Sequence, residues 1–126
     1  MVYDKMFAQN NVLQKAMEAS WLKNGTISNN IANADTPGYK KQTVQFEAYL
    51  NNQLSKTSNA SLINLESINS RVVSENPSYS MKSDGNNIDI DIEMTERAKN
   101  SLKYSALTDS VSNNFKRINA VLNNMK

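Results

Sequence analysis

Four acidic side chains within one ten-residue segment are the groups most able to do chemistry: Asp84, Asp89, Asp91 and Glu93. Clustered carboxylates coordinate calcium in EF-hand loops or act as acid–base pairs in enzymes. An EF-hand loop with Gly85 at its sixth position would begin with Ser80 and end in Asp91, where Glu belongs. Several ligand positions are therefore wrong. The acids fit better as caps at the start of a helix, and we predict no metal site.

The rest of the composition also argues against catalysis. The chain has no Cys and no His, so thiol nucleophiles, disulfides, the commonest metal ligands and the commonest general base are missing. None of its three glycines forms a phosphate-binding motif. We therefore predict a non-enzyme with no catalytic residue and no cofactor.

The charge distribution does not favour nucleic acid or lipid as a partner. The formal charge is +2, with acids and bases interspersed and no long basic run. The N-terminus lacks the apolar core of a secretory signal, and no apolar run is long enough to span a bilayer. A helix that lies on a membrane surface needs a basic polar face, whereas the first predicted helix offers amides.

An apolar stripe predicts a long first helix from about Asp4 to Ala34. Its members are spaced by seven, four, ten and four residues: Met6, Leu13, Met17, Ile27 and Ile31. Small polar residues, Ser20 and Asn24, stand at the missing positions of the stripe. We expect this stripe to form a helix–helix or subunit interface.

The second half of this helix is intrinsically weak. Seven of the ten residues from Asn24 to Asn33 are Asn, Gly, Ser or Thr, a deficit of about 4 to 5 kcal/mol relative to good helix formers. Such a segment needs packing to stay helical. We assign Asn30 and Asn33 to the interface. An alternative is two shorter helices joined at Asn24–Gly25.

A turn follows the first helix. In Thr36-Pro37-Gly38-Tyr39, Pro stands at the second turn position and Gly at the third, where positive φ is required. This order predicts a type II turn.

The middle of the chain carries weaker patterns. A short helix is predicted from the spacing of Phe46, Tyr49, Leu50 and Leu54. A strand is possible over Ser67 to Ser74, limited to a sheet edge by Pro77.

The last helix has the clearest pattern. Asp89 or Asp91 caps its start, and Glu93 and Arg97 form a favourable i, i+4 pair. Its apolar stripe runs through Met94 and Ala98, and then through a coiled-coil-like seam of Leu107, Val111, Phe115, Ile118 and Leu122.

These elements predict a mainly α fold. Long N- and C-terminal helices pack as an antiparallel coiled-coil-like pair, with a small irregular, β-containing insert between them. The organisation is 1–36 for the N-terminal helix, 37–87 for the turn, short helix and insert, and 88–126 for the C-terminal helix. The two terminal helices form one structural domain. Asn in the seams lowers stability but fixes register, because an unpaired amide penalises wrong alignments.

Two stretches resemble a known family. Residues 29–40, Asn-Asn-Ile-Ala-Asn-Ala-Asp-Thr-Pro-Gly-Tyr-Lys, are similar to the N-terminal signature of bacterial flagellar axial proteins, the rod, hook and hook-associated subunits. Residues 84–91, Asp-Gly-Asn-Asn-Ile-Asp-Ile-Asp, with 93–94 and 98–107, resemble the corresponding part of one kind of proximal rod protein. The resemblance covers roughly residues 6–41 and 71–125.

The resemblance implies a structural subunit of the proximal rod, polymerised into the axial drive shaft that transmits motor torque. Its implied partners are other rod subunits, the hook-basal body adapter at the rod base and the flagellar type III export apparatus. The implied location is the flagellar basal body, reached without a cleaved signal peptide. Alternatives are the sister proximal rod protein and a non-polymerising helical adaptor or chaperone.

The weakness of the Asn24–Asn33 segment generates a prediction for the isolated chain. Circular dichroism of dilute monomer is expected to show less helix than two fully formed terminal helices require, because packing must supply the missing stability. Hydrogen exchange should find the amides of this segment poorly protected. Full protection of these amides in dilute monomer would contradict the prediction.

Overall fold

The computed structural model describes residues 2–57, 62–76 and 82–125. In chain order, the main elements are α1 (Val2–Ala32), β1 (Gln42–Gln45), α2 (Glu47–Lys56), β2 (Arg71–Ser74) and α3 (Ile90–Asn124). A short 3-10 helix, Leu65–Ser67, precedes β2. Within the described part, no helix is both long and apolar enough to cross a membrane.

The two long helices run antiparallel and in contact. α1 has 31 residues and α3 has 35, so they are about 46 Å and 52 Å long at 1.5 Å per residue. The Asn10 side chain meets Asn114 near one end, and the Ser20 side chain meets Asn100 further along. Residue numbers rise along α1 as they fall along α3, which confirms the predicted fold class.

α1 is one continuous helix, so the alternative of two helices joined at Asn24–Gly25 is wrong. Packing holds the weak segment in place, because Thr26, Ile27 and Asn30 are buried there. The Thr26 hydroxyl also donates to the carbonyl of Leu22, one turn earlier, at 2.9 Å. The helix ends at Ala32, two residues before the predicted end.

The predicted type II turn is confirmed. The Tyr39 backbone N–H donates to the Thr36 carbonyl at 3.2 Å, and Gly38 has a φ of 71°. This backbone conformation is easy for glycine and costly for other residues.

The insert contains a two-stranded antiparallel sheet, in which Val44 of β1 lies opposite Val72 of β2. The predicted strand over Ser67–Ser74 begins later than expected, at Arg71. Ile68 lies outside the strand and packs in the core instead. β1 was not predicted, because four residues are too few to show a period, and Pro77 lies outside the described residues.

The apolar core lies between α1 and the insert. It consists of Ala16, Ala19, Phe46, Ile63 and Ile68. Ala16 and Ala19 lie on the same face of α1 and share a buried cluster with Phe46, which stands immediately before α2. The predicted short helix is present as α2, and its Leu50 packs against this core, whereas Tyr49 and Leu54 are exposed.

The start of α3 has the predicted cap, but not the predicted apolar stripe or ion pair. The Asp89 side chain caps the helix, accepting from the Asp91 and Ile92 backbone N–H groups. The predicted apolar stripe is wrong at its start, because Met94 and Ala98 are exposed. The predicted Glu93–Arg97 pair is also wrong, because Glu93 turns inward and pairs with Lys41 at 2.9 Å.

Candidate assembly interface

A buried polar centre joins α1, α3 and the start of the insert. Asn30 is fully buried and Glu93 is 1% exposed. The Asn30 side-chain amide donates to Glu93 Oε2 at 3.0 Å, and Lys41 Nζ lies 2.9 Å from Glu93 Oε1. A carboxylate is tolerated in such a place only when charged and hydrogen-bonding partners surround it.

The Asn30 side-chain amide also bonds both backbone groups of Gln42, as a neighbouring β-strand would. Its Oδ1 accepts from the Gln42 backbone N–H at 3.0 Å, and its Nδ2 donates to the Gln42 carbonyl at 2.8 Å. The Tyr39 hydroxyl donates to the same Oδ1 at 3.4 Å. With the bond to Glu93, both donors and both acceptor positions of the amide are used. Asp lacks the donors, and Gln offers the same set only one methylene further from the backbone.

A second buried amide, Asn86, completes the end of α1. Its Nδ2 donates to the Asn33 and Thr36 carbonyls, each at 2.9 Å, and its Oδ1 accepts from the Ile88 N–H at 2.8 Å. Lys82 Nζ donates to the Ala34 carbonyl at 2.8 Å. These three carbonyls lie just after Ala32, the last residue of α1. The segment before α3 therefore supplies hydrogen-bond donors for the part of the chain that leaves the helix.

The turn after α1 docks on the same segment. The Gly38 N–H donates to the Asp84 carbonyl at 2.9 Å, and the Lys41 N–H donates to Asn87 Oδ1 at 2.7 Å. A Cβ added at Gly85 would lie 3.7 Å from the Gly38 Cα. Residues 30–42 and 82–93 therefore form one structure, here called the interlock, built from the two stretches that carry the family resemblance.

The acids that suggested a calcium loop all have structural roles or face solvent. Asp84 Oδ1 accepts from the Asn86 N–H at 3.0 Å, Asp89 caps α3 and Glu93 belongs to the buried centre. In the described ranges no group of acidic residues is arranged to hold a metal ion.

Electrostatics strengthen the interlock. Burial by itself would lower the pKa of Lys41, but the hydrogen bond and negative charge of Glu93 outweigh it. The pKa of Lys41 is therefore raised above 10.5. Burial, followed by the charge of Glu93, raises the pKa of Tyr39 above 10.0. Both groups stay protonated and available as donors throughout the neutral range.

Polar pairs also align the rest of the helix pair. The Ser20 hydroxyl donates to Asn100 Oδ1 at 2.9 Å, and Asn100 Nδ2 donates to the Ser20 carbonyl at 2.8 Å. Ser20 and Asn100 are both at most 5% exposed. Near the opposite end of the molecule from the interlock, Asn114 Nδ2 donates to Asn10 Oδ1 at 3.0 Å. The register of the two helices is specified by these pairs.

The residues assigned to an interface from the sequence fall into several groups. Thr36–Tyr39 and Asn30 belong to the interlock. Asn33 donates through its side chain to the Asn29 carbonyl one turn earlier. Ile27 is buried, and a further set is half-buried: Leu13, Met17, Ile31, Leu107, Val111 and Ile118. Met6 lies in α1, but its side chain is outside the described set.

The remaining seam residues are not covered by α1. Phe115 is 54% exposed and Leu122 is 51% exposed. Trp21, on α1, is 72% exposed and borders an uncharged groove of about 320 Å³ between the helices, with Ser101 and Tyr104 on its other wall. Exposed apolar surface of this kind on both long helices is typical of a protein that packs against others.

Sequence reasoning missed four residues of the site: Lys41, Glu93, Asn86 and Asn100. A signal for two of them was present. Steps of seven residues back from Leu107 reach Asn100 and then Glu93, so the buried line of α3 follows a heptad spacing whose first members are polar. No spacing points to Lys41 or Asn86, which come from segments without periodic structure.

Comparisons with known proteins agree with this arrangement. Residues 11–40 match the family described as flagella basal body rod protein. The flagellar basal body rod protein FlgB of Bacillus subtilis (strain 168) is 35% identical over 117 residues, which cover 87% of this chain and 89% of that protein. The chain belongs to the FlgB family of flagellar basal body rod proteins.

Other members are similar over comparable lengths. FlgB of Borrelia hermsii is 36% identical, covering 80% of this chain and 85% of that protein. FlgB of Escherichia coli (strain K12) is 27% identical, covering 94% and 96%. Membership in the FlgB family makes the chain a structural subunit of the rod, placed in the basal body among other rod components. These relatives are named as rod proteins and not as enzymes.

Breaking the buried ion pair is expected to destabilise the chain strongly. Lys41→Met leaves the Glu93 carboxylate without a counter-ion, at a cost of about 3 kcal/mol. The double variant Lys41→Met, Glu93→Gln should recover more than half of that loss, because Gln still accepts from Asn30. Lys23→Met is the matched control, since its pair with Glu96 is about one-third exposed and should cost at most about 1 kcal/mol. Urea unfolding gives the three values; equal costs for Lys41→Met and Lys23→Met would contradict the assignment.

The raised pKa of Lys41 predicts a loss of stability in alkali. Stability from a raised pKa is fully present below the unfolded value of 10.5 and is lost as pH rises through the folded value. The pKa of Tyr39 is also raised, from 10.0, so its contribution to stability is likewise lost as pH rises. The free-energy difference between wild type and Lys41→Met should therefore shrink between about pH 10 and pH 12. Urea unfolding across that range tests this, with the surface variant Lys99→Met as control; a difference that stays constant would disprove it.

Proposed function

We propose that this chain is a subunit of the proximal rod, polymerised into the axial drive shaft that transmits motor torque. Its proposed neighbours are other rod subunits and the hook-basal body adapter at the rod base. The proposal also includes delivery by the flagellar type III export apparatus without a cleaved signal peptide. It includes no enzymatic activity, no nucleic acid and no direct lipid contact.

The observation that carries the proposal is the separation of polar and apolar residues on the long helices. The buried hydrogen bonds between α1 and α3 join Ser20 to Asn100 and Asn30 to Glu93. In contrast, Trp21, Phe115 and Leu122 are more than half exposed. Folding of one copy therefore leaves large apolar side chains in water. Packing against a neighbour would remove them from it, at roughly 25 cal/mol per Å² of apolar area.

The interlock suits a shaft that transmits torque. It ties the end of α1 to the start of α3 through buried hydrogen bonds, so the two helices resist sliding past each other. A heterologous contact between such units repeats without closing and generates a helical assembly. Asn30 and Asn33 are expected to act differently there. Asn30 is fully buried and bonded to distant segments of its own chain, whereas Asn33 is half-buried and its side chain bonds only locally, to the Asn29 carbonyl and the Thr36 hydroxyl. We propose that a neighbour contacts the partly exposed Asn33.

Variants on the exposed stripe test this proposal in a normally motile bacterium from which the native gene has been deleted and replaced by the variant gene. The double variant Phe115→Asn, Leu122→Asn should keep the monomer folded, because both side chains are more than half exposed. It should be absent from purified basal bodies, and the cells should not swim. Leu62→Asn is the matched control, since Leu62 is 70% exposed but lies in the insert.

Two results would contradict the proposal. One is incorporation of the double variant at the wild-type level, which would exclude the stripe as the contact. The other is normal motility after deletion of the gene, with the wild-type chain found only in the soluble fraction. That second result is the one expected of a non-polymerising adaptor.

A further inference from the structure

Asn24 and Gly25 are the only Asn-Gly pair in the chain. Both lie in the middle of α1 and both are exposed. The Asn24 carbonyl accepts from the Ser28 hydroxyl at 3.0 Å, and the Asn24 side chain borders the groove beside Trp21.

Nothing in the described part of the chain requires glycine at position 25. Among the described residues, the glycines with positive φ are Gly38 and Gly85, so Gly25 has an ordinary helical backbone. A Cβ built at Gly25 would have no atom within 4 Å. Glycine nevertheless weakens a helix relative to alanine. What it does provide is an unhindered backbone nitrogen directly after an asparagine.

We propose that Asn24 is a spontaneous deamidation site that α1 keeps closed. The Gly25 backbone nitrogen attacks Asn24 Cγ, forming a C–N bond and losing its proton. The bond from Cγ to Nδ2 breaks and ammonia leaves, which closes a five-membered succinimide ring. Water then opens the ring at either carbonyl, giving aspartate or isoaspartate. No oxidation or reduction takes place.

The helix closes the site by geometry. Within α1, each backbone N–H is held toward the carbonyl four residues earlier, and the helical backbone at Asn24 keeps Cγ away from the following nitrogen. Attack therefore requires this part of the helix to open. Opening is easy here because the segment is rich in residues of low helix propensity, and its outer face, with Asn24, Gly25 and Ser28, is exposed. The rate of conversion thus follows fraying of α1.

Conversion changes the surface that we assign to assembly, and this consequence rests on the proposed function. Aspartate brings a negative charge into a groove lined by Trp21, Asn24, Ser101 and Tyr104, where no lining residue is charged. Isoaspartate adds a carbon to the backbone and disrupts the helix. Chains that remain unassembled with a frayed α1 would then lose the ability to join the rod.

The full chain, incubated in mildly alkaline buffer with and without denaturing urea, tests the site itself. Peptide mass mapping follows conversion at each asparagine, and an isoaspartyl methyltransferase detects isoaspartate. We expect conversion in urea to be fastest at Asn24, and about tenfold or more slower there without urea. Equal rates with and without urea would overturn the gating. A rate at Asn24 no higher than at other asparagines in urea would overturn the site.

Two variants separate the chemistry from the helix. Gly25→Ala should suppress conversion even in urea, because the added Cβ hinders the attacking nitrogen. Ser28→Ala keeps the reactive pair but strengthens α1, so it should slow conversion only without urea. A Ser28→Ala chain that converts as fast as wild type without urea would contradict the role of the helix. These measurements involve no rod, so their failure is distinct from failure of the proposed function.

The assembly consequence has its own test. Asn24→Asp, introduced into cells that lack the native gene, should reduce incorporation into basal bodies relative to wild type. Incorporation at the wild-type level would overturn the consequence while leaving the deamidation site itself intact.

Discussion

The side-chain amide of Asn30 is the interaction on which the rest of the structure depends. It makes two hydrogen bonds to the backbone of Gln42, one to Glu93 and one with Tyr39. These bonds join α1, the start of β1 and the first turn of α3. Each of these hydrogen bonds adds only about 1 kcal/mol net to folding stability, but a buried partner left without its hydrogen bond costs about 1 to 3 kcal/mol. The arrangement therefore excludes wrong alignments more strongly than it stabilises the right one.

The same logic explains why polar groups line much of the contact between the two long helices. An apolar seam would stabilise several registers almost equally, whereas Ser20 and Asn100 satisfy each other in only one. Because polar groups occupy these buried contacts, large apolar side chains lie on the exposed surface of the two helices. Trp21 and Phe115 can then serve association between subunits, where apolar burial supplies most of the driving force.

The weak half of α1 is held by parts of the chain that are distant in sequence. Asn86 and Lys82 satisfy carbonyls just beyond its last turn, and Glu93 holds Asn30 from α3. If the interlock opens, Asn30 and the carbonyls that follow α1 lose these partners together, and the weak segment that begins at Asn24 loses its anchor. The end of α1 and the interlock therefore behave as one cooperative unit. Its stability sets how often the Asn24–Gly25 pair is exposed to chemistry.

Periodicity and turn chemistry were sufficient to predict both long helices, the type II turn at Thr36–Tyr39 and the cap at Asp89, because each depends on residues close together in the chain. The resemblance of two stretches was sufficient to predict the family. Only the tertiary structure decided how those stretches are used. Glu93 faces inward to Lys41 rather than outward to Arg97, and Asn86 binds two carbonyls of the segment that leaves α1, at least fifty residues earlier in the chain. The physical reason is that a buried polar group takes whichever partner the fold brings to it. Local spacing shows which neighbours are near along one helix, but not which distant segment will supply the hydrogen bond.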